Sequence, residues 1–183
     1  MKEFERYRSR LQALGLAETD HVLVARLGEK ILEHWQGGDR VRTSPVSSGL
    51  RPRSCQDGSL GTPWGLHAVA ARHGDGATPG TIFVGRVSTG ERWQDRPDPA
   101  ADPRNHVTTR ILRLRGLEPG LNAGPGIDSF ERYIYIHGTN HPESFPENRS
   151  HGCLLMCDPD LIELFEAVPE GTHVWLAPPD DTD

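Results

Sequence analysis

The sequence predicts a mainly β fold, a mixed β sandwich or open barrel, with a helix at the N-terminus and another after Cys153. Two observations predict it. Seven or eight short runs rich in β-branched and aromatic residues are spaced along the chain, with turn residues between them. The 20 glycines and 15 prolines suit a turn-rich β protein better than a helical bundle, and 183 residues are enough to bury a real core.

In chain order, residues 3 to 17 read as a helix, because Phe4, Tyr7, Leu11 and Leu14 fall on one face. That stripe is expected to dock on the body of the protein. Strands are expected at Val22–Leu27, Lys30–Gln36 and Arg40–Val46, with Gly37-Gly38-Asp39 as the hairpin turn between the second and third. Further strands are expected at Gly65–Arg72, Thr81–Val87, Val107–Leu114 and Arg132–His137. Alternation in Arg110-Ile111-Leu112-Arg113-Leu114-Arg115 suggests a strand with a solvated basic face. Past Cys153, Asp158 is the expected N-cap, Pro159 suits the first helical position, and Leu161, Ile162, Leu164 and Phe165 supply the apolar face. A last strand covers His173–Leu176. The resulting division is a helical extension at 1–20, one domain at 21–177 and a flexible acidic tail at 178–183.

Two stretches are too polar or too rich in glycine for core. Arg92 to Asn105, with its prolines and aspartates, is either a solvated loop or a lid. Gly116 to Asp128 leads into the strand that ends at His137, which suits a wall of a binding site.

Charge and leader signals narrow the function classes. A net charge of −6 argues against nucleic acid, which needs a basic patch. The first residues carry no apolar secretory core, no lipobox cysteine and no run near eighteen apolar residues, so with Met1 as the start a cytoplasmic location and no membrane partner are expected. Three cysteines, an odd number, do not suit a disulfide framework.

The chemistry concentrates in one segment. Ile136-His137-Gly138-Thr139 lies just upstream of Ser150-His151-Gly152-Cys153, and a thiol needs a base or a helix N-terminus to act as a nucleophile at neutral pH. The strand Tyr133 to Ile136 delivers His137, Gly138 breaks it, and the loop from His141 to Arg149 is expected to fold back so that imidazole and thiol meet. The expected helix after Cys153 places the thiol near backbone amides that favour a thiolate or an oxyanion.

His-Gly-Thr, a short loop and Ser-His-Gly-Cys resemble the signature of the L,D-transpeptidase (YkuD-type) catalytic domain. Upstream, Val22-Leu23-Val24 leading into Lys30-Ile31-Leu32, Arg42 to Gly49, and Thr62-Pro63-Trp64-Gly65 resemble that family's opening hairpin, its following strand and its Thr-Pro-x-Gly turn, in the right order. The resemblance spans roughly residues 20 to 177 and implies that domain's fold. It implies Cys153 as the nucleophile toward a peptidoglycan stem peptide, His137 as its base and the Gly138 carbonyl as the group that orients the ring. It also implies His151 as a shaper of the site and the amides of Gly152 and Cys153 as oxyanion donors. Thr139, Ser150 and Arg149 are candidate substrate contacts, with Glu143 and Glu147 nearby. No cofactor is implied, and acylation by carbapenem-type β-lactams is expected. The family's usual Arg two residues after the cysteine is Leu155 here, which bears on the acceptor rather than the nucleophile.

The reading that follows is an L,D-carboxypeptidase that removes terminal D-alanine from tetrapeptides in muropeptide recycling. Leaderless members of the family are associated with that action, and water as acceptor needs no second peptide groove. Alternatives are an L,D-transpeptidase that crosslinks or exchanges D-amino acids, and a muropeptide-binding module without turnover. A zinc site of His137, His141, His151, Cys153 and Cys157 is a further rival. Against it, Gly138 and Pro142 disfavour the helix that the i, i+4 histidines would need, and Cys153 and Cys157 miss the usual two-residue spacing. No metal is therefore assigned. Cys157 reads as a buried small hydrophobe and Cys55 as a loop thiol.

Overall fold

The computed structural model describes residues 1–179; the end of the expected acidic tail, 180–183, lies outside the described residues. The first helix, α1 (Lys2–Leu14), ends where Gly15 takes the left-handed conformation at φ 67° and donates its N–H to the Gln12 carbonyl. It stops three residues before the sequence expectation for that reason. Its face of Phe4, Tyr7 and Leu11 packs on Val22, Val24, Leu66 and Trp175, and Phe4 stacks on Trp35 with ring centroids 4.0 Å apart.

Among the described residues ten strands follow: β1 (His21–Arg26), β2 (Ile31–Gln36), β3 (Asp39–Pro45), β4 (Gly65–His73), β5 (Thr81–Val84), β6 (Val87–Arg92), β7 (Val107–Gly116), β8 (Tyr135–Gly138), β9 (Leu154–Met156) and β10 (His173–Leu176). The second helix, α2 (Asp158–Ala167), lies between β9 and β10. All the strands belong to one sheet, ordered β3-β2-β1-β10-β4-β7-β5-β6, with β8 and β9 added on the other edge of β7. Ser47, two residues past β3, then exchanges both backbone hydrogen bonds with Leu155 of β9, at 3.0 and 2.9 Å. The two ends of the sheet thus meet, and the sheet curls around an apolar interior.

That interior is filled by alternate residues of the strands and by α2. Leu23, Val69, Leu112, Leu114, Ile136, Leu154 and Met156 point inward, and Leu161, Leu164 and Phe165 of α2 fill the remaining space, each at most 2% exposed. Burying side chains of this size is worth roughly 1.5–3 kcal/mol each. Among the described residues, no helix is long and apolar enough to cross a membrane.

Several elements differ from the sequence expectation. The single strand expected at Thr81–Val87 is a hairpin, turned at Gly85 and Arg86, which both have positive φ (55° and 68°). Strand β8 begins at Tyr135 rather than Arg132, because Tyr133 is left-handed at φ 55°. Residues 154–156, expected to lead directly into the helix, form β9 instead, and the cap of α2 is Cys157 with Asp158 already helical. The basic face expected on β7 is only partly solvated: Arg110 is buried and donates to the carbonyls of Ala77 and Thr109.

Candidate active site

Strands β8 and β9 run parallel and in register, with Ile136 opposite Leu154 and His137 opposite Leu155. Because side chains alternate along a strand, Ile136, Leu154 and Met156 face the interior while Tyr135 and His137 face outward. Cys153, one residue before β9, falls on the same outer side and packs against the cluster of Phe83, Ile111 and Tyr135. His137 and Cys153 therefore line one cleft of about 510 Å³, together with Asn105, Arg132, Tyr133, Arg149 and His151.

The turn that carries the thiol is held from three sides. Ser150 is buried; its hydroxyl donates to the Cys153 carbonyl at 2.5 Å and accepts from the Gly152 amide at 3.2 Å. Its backbone carbonyl accepts from the Leu50 amide at 2.9 Å. Gly49, next to Leu50, donates its amide to Thr62 Oγ1 at 2.8 Å. The segments Arg42–Gly49 and Thr62–Gly65 thus meet beneath the nucleophile turn. Gly152 needs its lack of a side chain, since its φ is +120° and a Cβ there would sit 3.0 Å from the Gly61 carbonyl oxygen.

His137 is 2% exposed, and its Nδ1–H donates to the Gly138 carbonyl at 2.7 Å. A carbonyl can only accept, so this bond fixes the proton on Nδ1 and leaves Nε2 as the acceptor. Burial lowers the pKa of His137 to about 4, against the opposing pull of the Gly138 carbonyl. Gly138 is pressed against β7: a Cβ would lie 2.6 Å from Thr108 Oγ1. The Cys153 thiol is partly exposed and lies 3.4 Å from the Tyr133 carbonyl oxygen. Close packing around the sulfur raises its pKa to about 11, although a Tyr135 backbone hydrogen bond and the Arg132 charge act the other way. Both shifts favour the neutral forms at neutral pH, a thiol and an imidazole lining the same cleft.

This corrects the expectation of a helix-stabilised thiolate. Strand β9 separates the sulfur from the start of α2, a distance of about four extended residues, or roughly 13 Å. A helix terminus acts only within its own first turn.

The other expected site residues are placed as follows. His151 is exposed at the cleft. Arg149 lines the cleft and donates to Ser144 Oγ at 2.7 Å. Thr139 is buried and accepts from the His141 amide at 3.0 Å. The Gly152 amide is occupied by Ser150. Leu155 is 1% exposed, paired with both His137 and Ser47, and brings no charge to the cleft. Glu143 sits 3.2 Å from His141 Nδ1, and Glu147 is exposed.

The proline-rich stretch contributes part of a wall. Pro103, Arg104 and Asn105 line the cleft, held because Asn140 donates to the Arg104 carbonyl (3.0 Å) and accepts from the His106 amide (2.8 Å). The glycine-rich stretch from Gly116 to Asp128 does not line it; it packs beside β4, where Asn122 donates to the carbonyls of Trp64 and Leu66. Among the described residues no three His, Cys, Asp or Glu side chains converge as metal ligands. Asn140, Arg132 and Tyr133 escaped the sequence reading. For Asn140 the available signal was its place beside His137 in a turn; the other two carried none.

Fold and cleft together define a class, a curled β domain whose one cleft is lined by a thiol and a tautomer-fixed imidazole. Residues 20–176 match the model of YkuD, the L,D-transpeptidase catalytic domain, and the chain belongs to that family. The YkuD protein of Bacillus licheniformis, whose name assigns it to the L,D-transpeptidases, is 46% identical over 69 residues, which are 37% of this chain and 42% of that protein. The match thus covers less than half of that relative's length. Among solved structures, the L,D-transpeptidase of Xylanimonas cellulosilytica aligns with a TM-score of 0.54 at 19% identity, over 92% of this chain and 68% of that one. The LD transpeptidase LdtMt1 in complex with imipenem aligns at 0.52 and 17%, over 86% and 59%. These two likenesses speak for the fold.

Proposed function

We propose that the chain is a cysteine peptidase that removes the terminal D-alanine from tetrapeptide stems of peptidoglycan, as in the recycling of muropeptides. One observation carries the reading: Cys153 and His137 line the same cleft, with the imidazole held in the tautomer that can accept the thiol proton. In the first half-reaction Sγ bonds to the carbonyl carbon of the third stem residue while its proton passes to His137 Nε2. The oxyanion faces the Cys153 amide, since the Gly152 amide is held by Ser150. Collapse breaks the peptide bond, and the leaving D-alanine amine takes the proton from Nε2. Water then attacks the thioester, gives a proton to Nε2, and the sulfur leaves and regains it.

Proton transfer in step with attack fits the neutral pair, because a resting thiolate would have to overcome the packing that raises the Cys153 pKa. Water as acceptor fits Leu155, which is buried and supplies no handle for a charged second substrate. The family supports a second reading, in which an amine resolves the acyl-enzyme and forms a crosslink or exchanges a D-amino acid. Mass spectrometry of a tetrapeptide incubated with the protein, with and without excess D-methionine, separates the two. Tripeptide alone in both samples is the expected result, abolished in Cys153→Ala. Incorporation of D-methionine would replace hydrolysis by transpeptidation, and an unchanged tetrapeptide would point to a binding module. The imipenem held by LdtMt1 suggests the same sulfur as the site of β-lactam acylation here.

A further inference from the structure

Tyr133 is an unusual residue beside the thiol. It is 55% exposed, lines the cleft and holds φ at 55°, a conformation that costs an L residue energy. Two guanidinium groups lie near its ring, Arg86 at 5.4 Å and Arg113 at 5.2 Å from the centroid. Both are held in place. Arg86 stands at the tip of the β5–β6 hairpin and donates to Tyr135 Oη at 3.1 Å. Arg113 lies 3.3 Å over the Phe130 ring and donates to the Phe130 carbonyl at 2.8 Å.

Neither arginine has a carboxylate partner among the described residues, so each guanidinium keeps its charge available to a ligand. Arg72 and Arg110 share the Phe165 ring in the same way, but that ring is buried; Arg86 and Arg113 differ in lying over a ring that is exposed and lines the cleft. The cleft beside them is lined by Arg104, Arg132 and Arg149 and, among the described residues, by no acidic one. A planar guanidinium fixed in orientation loses little freedom when it takes up a carboxylate, and an exposed ring offers a face for an aliphatic stem.

We propose that Tyr133, Arg86 and Arg113 form a subsite that takes a free carboxylate of the donor peptide next to the acylated residue. The arginines hold the anion and the Tyr133 ring packs against the chain that carries it. This rests on the reading of Cys153 as the acyl acceptor. The carboxylate belongs either to the side chain of the third stem residue or to the acidic residue before it.

Calorimetric binding to the Cys153→Ala protein tests the subsite without turnover. The probes are tetrapeptides whose third residue is diaminopimelate or lysine, and whose second residue is a free acid or its amide. Removing the relevant carboxylate should weaken binding about 10-fold or more, and which peptide loses affinity identifies the source. Arg86→Gln and Arg113→Gln should weaken the acidic peptide by a similar factor and leave the neutral one unchanged. Arg113→Lys, with a thermal melt, guards against a loss that comes only from the Phe130 contact. Equal weakening of acidic and neutral peptides, or no weakening of either, would overturn the subsite. Carboxylate-dependent binding without any tripeptide release from the intact protein would keep the subsite and reject the peptidase.

Discussion

His67, near the start of β4, and His137, near the end of β8, begin from the same physics and end in different roles. Both are almost fully buried, and burial lowers the pKa of each to about 4. Both donate Nδ1–H to a backbone carbonyl close in sequence, Gly65 at 3.0 Å and Gly138 at 2.7 Å. The second nitrogen separates them. His67 Nε2 accepts from Ser129 Oγ at 2.9 Å, so its hydrogen-bonding capacity is spent within the protein. His137 Nε2 has no protein partner among the described residues, and its ring lines the cleft with Cys153. A depressed pKa therefore does not mark a functional histidine here; an unspent nitrogen on an open wall does.

Replacing each histidine by glutamine breaks the comparison most sharply. His137→Gln removes the proposed base and should lower tripeptide release by about 10³-fold, within the range for general-base loss, while the fold persists. His67→Gln should leave the rate per folded molecule within a few-fold and cost about 1–3 kcal/mol of stability, through imperfect replacement of two buried hydrogen bonds. Turnover assays and urea melts on both variants read the two effects separately. A large rate loss in His67→Gln with native stability would erase the distinction.

Acid stability treats the two alike and so sharpens the contrast. Each folded-state pKa, about 4, lies below the ordinary value of 6.5. On acidification the unfolded chain takes up these protons first, so stability is fully present above pH 6.5 and is lost as pH falls toward 4. The loss reaches about 3 kcal/mol for each histidine. Urea unfolding between pH 7 and 4 should show this slope, and either glutamine variant should flatten it by a comparable amount. No change of slope in either variant would mean that folding lowers the pKa of neither ring.

How much of this was legible in the sequence follows from the range of the interactions involved. The hairpin at Gly37-Gly38 and the docking stripe Phe4, Tyr7 and Leu11 are local patterns, and they appear as read. Cys153 and His137 could be singled out because their chemistry is local too, a thiol and an imidazole in turn-rich surroundings. Strand β9 was hidden because three residues carry no period of their own; it exists through pairing with β8 and with Ser47. The hairpin at Gly85-Arg86 was hidden because β6 is exposed and polar and its turn holds an arginine where glycine or asparagine usually signals. The side chain of Tyr133 favours a strand, and nothing local in the sequence signals its left-handed backbone.

The smallest predicted effect concerns the turn under the nucleophile. Ser150 belongs to the motif, yet its hydroxyl is turned inward, donating to the Cys153 carbonyl and accepting from the Gly152 amide. Its work is to hold the backbone that carries Sγ. Ser150→Ala leaves two backbone groups without that partner, but the turn lies next to exposed His151, where water can take over part of the bonding. The expected cost is about 1 kcal/mol of stability, near the usual net value of one hydrogen bond. Turnover should fall through kcat more than through KM, because the substrate is still bound while the sulfur is held less firmly. Ser150→Thr keeps the hydroxyl and should recover part of the rate. A variant that instead raised KM alone would make Ser150 a substrate contact, and the turn would then be held by Leu50 and Thr62 without it.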